Sequence, residues 1–229
     1  MKRLIEIDAL RGLAVSFMML FHFLMSGMLL GFWHFAPYEG ASLLLVRFGQ
    51  FLFLGLVGVS VFLSQRGFAQ QCLRGLRIFL CGLLVSLATY FVFPEQYVRF
   101  GVLHLIGVSV PVLVLFKGRE GLGLGLAFFI YVFSHFLPEG GSVWGIPFGF
   151  PPAAFSSLDY FPIAPWLTVP FVGLWLGAKI YAKRQSTRLV FLARIPLLTW
   201  LGRHSLAVYL LHQPVLYFSL WALSHWIQT

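Results

Sequence analysis

Residues 9–32 read ALRGLAVSFMMLFHFLMSGMLLGF, an apolar run that contains a single charged residue, Arg11. A helix needs about 20 such residues to cross the hydrocarbon core of a bilayer. The run has no small-residue cleavage site, which favours a retained membrane span over a removable signal peptide. This stretch therefore predicts a chain that begins with a transmembrane helix.

The composition of the whole chain agrees with a membrane protein. Of 229 residues, 59% are hydrophobic and only 10% are charged, and the mean hydropathy is +0.88. A soluble domain carries about a quarter charged residues, so a soluble enzyme, a nucleic-acid-binding domain and a disordered protein are excluded. The two cysteines, Cys72 and Cys81, form no CxxC or Cys/His pattern, and we predict neither a disulfide framework nor a metal site.

Apolar runs of span length recur along the chain. They lie at roughly 9–32, 43–64, 72–93, 100–116, 121–137, 160–182 and 204–226. Lipid cannot satisfy open backbone groups, so these runs predict an all-α membrane bundle of about seven helices, forming one domain over residues 1–229. Residues 189–200 predict a short interfacial helix, with an eighth span as the alternative.

The charged residues predict which side each loop faces. Basic residues fall in alternate loops, and those placed in the cytoplasm are Lys2, Arg3, Arg66, Arg74, Arg77, Lys117, Arg119, Lys179, Lys183, Arg184, Arg188, Arg194 and Arg203. The opposite side keeps Arg47, Arg99, Glu39, Glu95, Glu139 and Asp159. This bias predicts a multi-pass protein of the cell's inner (plasma) membrane, N-terminus in and C-terminus out. The net charge of +9 then reflects topology, not nucleic-acid binding.

Few ionisable residues lie within the spans, and each marks a candidate functional position because its insertion is costly. Asp8 and Arg11 share a helix face, as a local ion pair or as a site for an anionic ligand. His22 lies almost three turns beyond Arg11 on nearly the same face. His104 and His212 lie on the fourth and seventh spans, and both a structural hydrogen bond and a direct role stay open for these histidines. The estimated heights place His22 and His104 above His212.

The segment Asp159-Tyr-Phe-Pro-Ile-Ala-Pro-Trp166 opens the sixth span. Its two prolines predict an irregular helix start that lines a cavity, since broken helices at membrane depth are buried or wet. Asp159 is either the cap of that helix or a ligand for a molecule that arrives from outside.

Four segments together resemble the heparan-α-glucosaminide N-acetyltransferase catalytic family, including its small prokaryotic members. They are Ile7-Asp-Ala-Leu-Arg-Gly-Leu-Ala14 followed by His22, Phe100-Gly-Val-Leu-His-Leu-Ile-Gly107, Asp159–Trp166, and Leu201-Gly-Arg-His-Ser-Leu-Ala-Val-Tyr-Leu-Leu-His-Gln-Pro214. The spacing of Arg11 and His22 also resembles the signature of the broader membrane acyltransferases that modify surface glycans.

The resemblance implies transfer of an acetyl or other acyl group from coenzyme A, on the cytoplasmic side, to an amino sugar, glycolipid or other glycan acceptor on the opposite side. The family's catalytic histidine stands in a His-Ala-x-Trp-x-Gly stretch, whose nearest match is His34–Gly40, one residue longer and with Tyr38 for Trp. The heparan enzyme carries an amide at the height of His22. His22 and His34 therefore compete for the role of base.

The chemistry of thioester aminolysis assigns roles to the remaining candidates. A neutral imidazole suits a base at neutral pH, and an acidic residue such as Asp159 would position the acceptor. Arginine matches phosphate geometry, although positive-inside topology alone also explains cytoplasmic arginines. The predicted catalytic residues are His22, His34, His104 and Asp159. The predicted donor-binding residues are Asp8, Arg11, Arg66, Arg74, Arg77, Arg203 and His212.

Two other classes of protein remain open. A haem-binding bundle would take axial ligands from His22, His104 or His212. The other class is a transporter or a subunit without chemistry. Inverted repeats would support it, and the sequence shows none. Homodimerisation is also left open.

Overall fold

The computed structural model describes residues 4–34, 36–138, 140–183, 185 and 187–228, without the side chains of 188, 227 and 228. Lys2, Arg3, Glu139 and Arg184, used above to predict the sides of the loops, lie outside this part. Within it the chain is helical, and one isolated parallel bridge joins Phe100 to Tyr160.

The helices follow the apolar runs closely. They are α1 (Ile5–Leu29), α2 (Gly40–Leu63), α3 (Phe68–Val92), α4 (Val102–Leu115), α5 (Glu120–Ser134), α6 (Ile163–Trp166), α7 (Thr168–Ile180), α8 (Pro196–Arg203) and α9 (Ser205–Gln228). Two 3-10 helices cover Val143–Phe148 and Arg188–Arg194.

Five helical segments in the described residues are long and apolar enough to span a membrane. They are α1, α2, α3, the α6–α7 segment and α9. Helices α4 and α5 have 14 and 15 residues, so each rises only about 22 Å against the roughly 30 Å of a bilayer core. The all-helical membrane architecture is confirmed, whereas the count of seven spans and the side of the N-terminus stay predictions.

The predicted interfacial helix at 189–200 is wrong as a single element. The chain forms a 3-10 helix over Arg188–Arg194, is extended at Ile195, and starts α8 at Pro196. The break follows from Pro196, because a proline disfavours helical backbone in the residue before it. Helix α8 has eight residues, too few for the alternative eighth span.

Contacts divide the chain into two compact units, and α2 contributes its first part to one and its second part to the other. Unit 1 comprises residues 1–53 and 185–229, and unit 2 comprises residues 54–184. The prediction of a single domain stays a prediction.

In unit 1, α8 lies directly against the first turns of α1. A Cβ at Gly12 would collide with the carbonyl oxygen of Leu198, and one at Gly202 would collide with that of Asp8. The two glycines therefore allow a backbone-to-backbone approach that any larger residue would prevent. Helix α9 then runs beside α1 in the same direction, with His212 at His22 and Gln213 at Ser26.

In unit 2, α3 and α4 pack antiparallel, since Gly75 faces Gly107 and Gly82 faces His104. The irregular start predicted for the sixth span is confirmed: Ala164 has non-helical backbone between Pro162 and the regular helix α7. An apolar cavity of about 350 Å³ lies there, lined by Ile163, Ala164 and side chains of α5 and the first 3-10 helix.

Candidate functional site

An ionic cluster occupies the start of α1. The Asp8 side chain is 3% exposed, and its Oδ1 lies 3.0 Å from Nη1 of Arg11, one helical turn away. Its Oδ2 lies 3.8 Å from Nε of Arg203, whose side chain is 50% exposed. Arg11 also reaches the carbonyl oxygen of Gly202 at 3.5 Å. The local ion pair foreseen for Asp8 and Arg11 is thus present, and two arginines share one buried carboxylate.

The docking of α8 fixes the relative height of α1 and α9. The position that a Cβ of Gly202 would take lies 3.0 Å from the amide nitrogen of Gly12, so these two glycines stand level. His22 follows Gly12 by ten residues, and His212 follows Gly202 by ten residues. Helix α9 begins at Ser205, just beyond Gly202, and rises about 11 Å to His212, while α1 rises about 15 Å from Gly12 to His22. The two histidines therefore come to similar levels.

The two imidazoles meet directly. His212 Nε2 lies 2.8 Å from His22 Nδ1, and the ring centroids are 4.8 Å apart. The estimated height difference between these residues is therefore wrong, because it was measured from Arg11 and Arg203 without the α8 contact that sets their levels. His212 is buried at 7% exposure, whereas His22 is half-buried.

Helix α9 holds the His212 ring in place from its own backbone. His212 Nδ1 lies 2.7 Å from the carbonyl oxygen of Tyr209 and 3.2 Å from that of Val208. One residue further on, Gln213 Nε2 donates to Ser26 Oγ at 3.4 Å, and Ser26 is fully buried. Two consecutive polar side chains of α9 thus bind two polar side chains of α1.

The geometry of this pair does not suit haem ligation. An iron between two imidazoles needs its nitrogen ligands about 4 Å apart, since each metal–nitrogen bond is about 2 Å long. The 2.8 Å separation instead matches one nitrogen–nitrogen hydrogen bond. Across the described residues, no three His, Cys, Asp or Glu side chains come together as a metal site.

A second polar cluster, in unit 2, surrounds the start of α4. The Gly101 amide donates to His104 Nδ1 at 3.1 Å, and the Val102 amide donates to Asp159 Oδ2 at 2.9 Å. His104 is 2% exposed, and its Nε2 lies 3.5 Å from Ser86 Oγ. These two candidates satisfy orphan amides at a helix N-terminus.

The capping role considered for Asp159 is present, but at a different helix from the one predicted. Asp159 caps α4, not the sixth span. The reason is the parallel bridge between Phe100 and Tyr160. This bridge places Asp159 beside the backbone amide of Val102, the first residue of α4.

The remaining candidates lie on other elements of the chain. Arg66 is exposed in the loop after α2, whereas Arg74 is half-buried and Arg77 exposed on α3. Lys117, before α5, donates to the carbonyl oxygen of Ser64, so two loops predicted to be cytoplasmic meet at one end of unit 2. His34 is exposed in the loop between α1 and α2.

Sequence reasoning missed three polar side chains of unit 1, of which Glu6 and Ser26 are buried and Gln213 is half-buried. Glu6 is fully buried, and its Oε1 accepts a hydrogen bond from the Thr187 amide at 2.8 Å, which ties the segment before the second 3-10 helix to α1. Ser26 and Gln213 form the contact described above. The adjacency of Gln213 to His212 was the available signal, because two polar residues in sequence within an apolar run mark a helix–helix contact.

The family assignment rests on nearly the whole chain. The family model described as heparan-alpha-glucosaminide N-acetyltransferase, catalytic, matches residues 3–214. The chain belongs to this family. Searches of the curated proteins and of the solved structures gave no match. The matched range includes all the candidate residues discussed above, so the resemblance seen in four short segments is confirmed as a family relationship, and the protein is a membrane protein of a transferase family.

Proposed function

We propose that the protein transfers an acetyl group from coenzyme A to an amino sugar or other glycan acceptor across the membrane. The family match over residues 3–214 carries this proposal. The parallel course of α1 and α9 fits an odd number of crossings, and the proposed topology has seven, with the shorter helices α4 and α5 counted as spans. In this topology the N-terminus, the α8 region and the Asp8–Arg11–Arg203 cluster face the cytoplasm of the plasma membrane.

His22 is the proposed base. It lies in a helix of span length, it is half-buried, and one of its ring nitrogens is held by His212. A held imidazole keeps one orientation, which is what general base catalysis requires. His34 is exposed on a loop with no described hydrogen bond to orient it, so it is the second choice.

The reaction needs one proton relay. The acceptor nitrogen or oxygen attacks the thioester carbonyl carbon while His22 removes its proton. The carbon–sulfur bond then breaks, and the departing thiolate takes the proton from His22. The products are the acetylated acceptor and coenzyme A, and His22 returns to its neutral state.

Arginines at the start of α1 and the end of α8 are placed to bind the phosphates of coenzyme A. Arg203 is half exposed, and its guanidinium lies 3.8 Å from Asp8, so it keeps donors for a ligand. Arg11 makes the closer ion pair with Asp8 and mainly organises the cluster. On this assignment the phosphates bind near Gly202, and the pantetheine arm extends about 15 Å along α1 and α9 toward His22.

A product assay tests the proposal. Purified full-length protein in detergent is incubated with isotope-labelled acetyl-CoA and a panel of amino sugars and neutral sugars, and products are identified by mass spectrometry. The wild type, His22→Ala and His34→Ala are compared, with His135→Ala, at the cap that follows α5, as the matched control. We expect labelled acetyl on at least one acceptor, lost in His22→Ala and retained in His135→Ala.

Two outcomes would contradict the proposal in different ways. A folded wild-type protein that labels no acceptor, yet moves an acceptor across a vesicle membrane, would indicate a transporter. Loss of product in His34→Ala alone would keep the transferase and move the base to the loop.

A further inference from the structure

We infer that His212 is a positioning residue that fixes the tautomer of His22 and shares the charge that His22 acquires during the reaction. The inference rests on the proposed function for its catalytic meaning. Its structural content, the assignment of ring protons, stands on hydrogen-bond geometry alone.

The buried His212 ring is held by carbonyl groups of its own helix. Backbone carbonyls only accept hydrogen bonds, and His212 Nδ1 lies within 3.2 Å of two of them, from Tyr209 and Val208. Nδ1 of His212 must therefore carry a proton. In the neutral imidazole the other nitrogen, Nε2, is then an acceptor.

The assignment passes from one ring to the next. His212 Nε2 lies 2.8 Å from His22 Nδ1 and accepts there, so His22 Nδ1 carries a proton and donates. Neutral His22 consequently presents its lone pair at Nε2. This is the less common form, because a neutral imidazole in water favours the tautomer protonated at Nε2. The carbonyls of α9 thus select the basic nitrogen of a residue on α1.

The same chain of bonds accommodates a proton once it arrives. When His22 Nε2 takes a proton from the acceptor, the proton on His22 Nδ1 can move to His212 Nε2. The positive charge then lies on His212, whose Nδ1–H points at two carbonyl oxygens. A cation facing carbonyl dipoles is stabilised, and charge-assisted hydrogen bonds are stronger than neutral ones. The reverse movement returns the proton to His22 for the thiolate.

Two other histidines make the same bond to their own helix backbone as His212 but, in the part of the chain that the structure describes, lack its contact with a second imidazole. Nδ1 of His135 and Nδ1 of His204 each lie 2.9 Å from a carbonyl four residues earlier, like His212. Among the described residues, neither of them has a second imidazole at Nε2. His135 is therefore a matched control, since it makes the same backbone bond without a relay partner.

Nitrogen NMR of the ¹⁵N-histidine-labelled full chain in bilayers reports which ring nitrogen carries the proton. We expect His22, assigned by its absence in His22→Gln, to be protonated at Nδ1 in the wild type. In His212→Phe it should revert toward the Nε2-protonated form. In His212→Gln it should stay protonated at Nδ1, because the amide oxygen accepts in place of Nε2. A wild-type His22 protonated at Nε2, or a tautomer unchanged in His212→Phe, would overturn the inference.

Kinetics separate positioning from mere packing. We expect His212→Phe to lower kcat about 100-fold and His212→Gln about 10-fold, each with unchanged KM for acetyl-CoA. The Gln variant keeps the tautomer but cannot accept the charge, so it should be only partly active. His135→Phe should match the wild type. Equal losses in the Phe and Gln variants, or full activity in both, would contradict the relay.

The two proposals fail separately. If no acceptor is acetylated, the tautomer measurement still decides the assignment of ring protons. If acetyl transfer depends on His22 while His212→Phe is fully active, the transferase stands and this inference falls.

Discussion

His212 in unit 1 and His104 in unit 2 are both buried histidines on apolar helices, yet they use Nδ1 in opposite ways. His104 Nδ1 accepts a hydrogen bond from the Gly101 amide, whereas His212 Nδ1 donates to the carbonyls of Tyr209 and Val208. The proton of neutral His104 therefore lies on Nε2, and that of neutral His212 lies on Nδ1.

This difference decides which histidine is available for proton transfer. The lone pair of His104 Nδ1 accepts the hydrogen bond of the Gly101 amide at the start of α4, so His104 serves as a helix cap. His212 Nε2 accepts from His22 Nδ1, and on the proposed function His22 Nε2 takes the proton of the acceptor. Residue type and burial are the same in both cases. The direction of the hydrogen bonds therefore indicates whether a buried histidine caps a helix or can take part in proton transfer.

The largest effect should come from the double variant in unit 1. We expect His22→Ala to slow acetyl transfer about 1,000-fold, since it removes the base. Adding His212→Phe should cost nothing more, because residues that act as a unit are not additive. The rates of the two single variants and the double variant measure this directly. Multiplied losses in the double variant would show that the two histidines act independently.

The second effect tests whether the packing of α8 on α1 brings His22 and His212 to the same height. Gly202→Ala should destabilise the protein by about 3 kcal/mol, because its Cβ would collide with the carbonyl oxygen of Asp8. Gly125→Ala on α5 is the control, since nothing lies within 4 Å of its Cβ position. Thermal unfolding in detergent compares the two. The NMR signals of His22 should shift in Gly202→Ala while those of His104 stay, and the reverse pattern would refute the account of helix levels.

A smaller effect is expected from removing the cap in unit 2. His104→Ala should cost about 2 kcal/mol, because it leaves the Gly101 amide without an acceptor. His104→Asn should recover much of this, since the amide oxygen stands near the position of Nδ1. Denaturant unfolding in detergent gives both values. If Asn were as destabilising as Ala, the cap would not be the reason for this histidine.

The smallest effect concerns donor binding. Arg203→Ala should weaken the binding of coenzyme A up to about tenfold, equivalent to about 1.4 kcal/mol, because an exposed arginine–phosphate contact is partly screened. Pantetheine, which lacks the phosphates of coenzyme A, should bind the wild type and Arg203→Ala equally. Calorimetry with both ligands makes the comparison. Equal weakening for both ligands would exclude a phosphate contact, and an effect of Arg77→Ala instead would place the phosphates at unit 2.

The apolar runs predicted most of the fold, because a membrane helix is recognised by its apolar composition and its length. Their ends were harder, since they depend on partners distant in sequence. The fourth apolar run begins near residue 100, but Phe100 pairs with Tyr160, so α4 starts at Val102. The break at Ile195 had a local cause in Pro196 and was foreseeable from sequence.

The candidate site was predicted residue by residue but not as a constellation. His22 and His212 were both singled out as costly polar residues, yet their contact depends on the docking of α8 through Gly12 and Gly202. Periodicity shows which face a residue occupies within one helix. It does not show how far one helix is shifted along another, and that shift decides which side chains meet.

Acetyl transfer in sealed proteoliposomes tests the central claim most directly. The protein is reconstituted with labelled acetyl-CoA outside and the best acceptor of the product assay inside, and product is measured in the lumen. The account predicts lumenal acetylated acceptor with wild-type protein and about 1,000-fold less with folded His22→Ala. Wild-type rates from folded His22→Ala would contradict it.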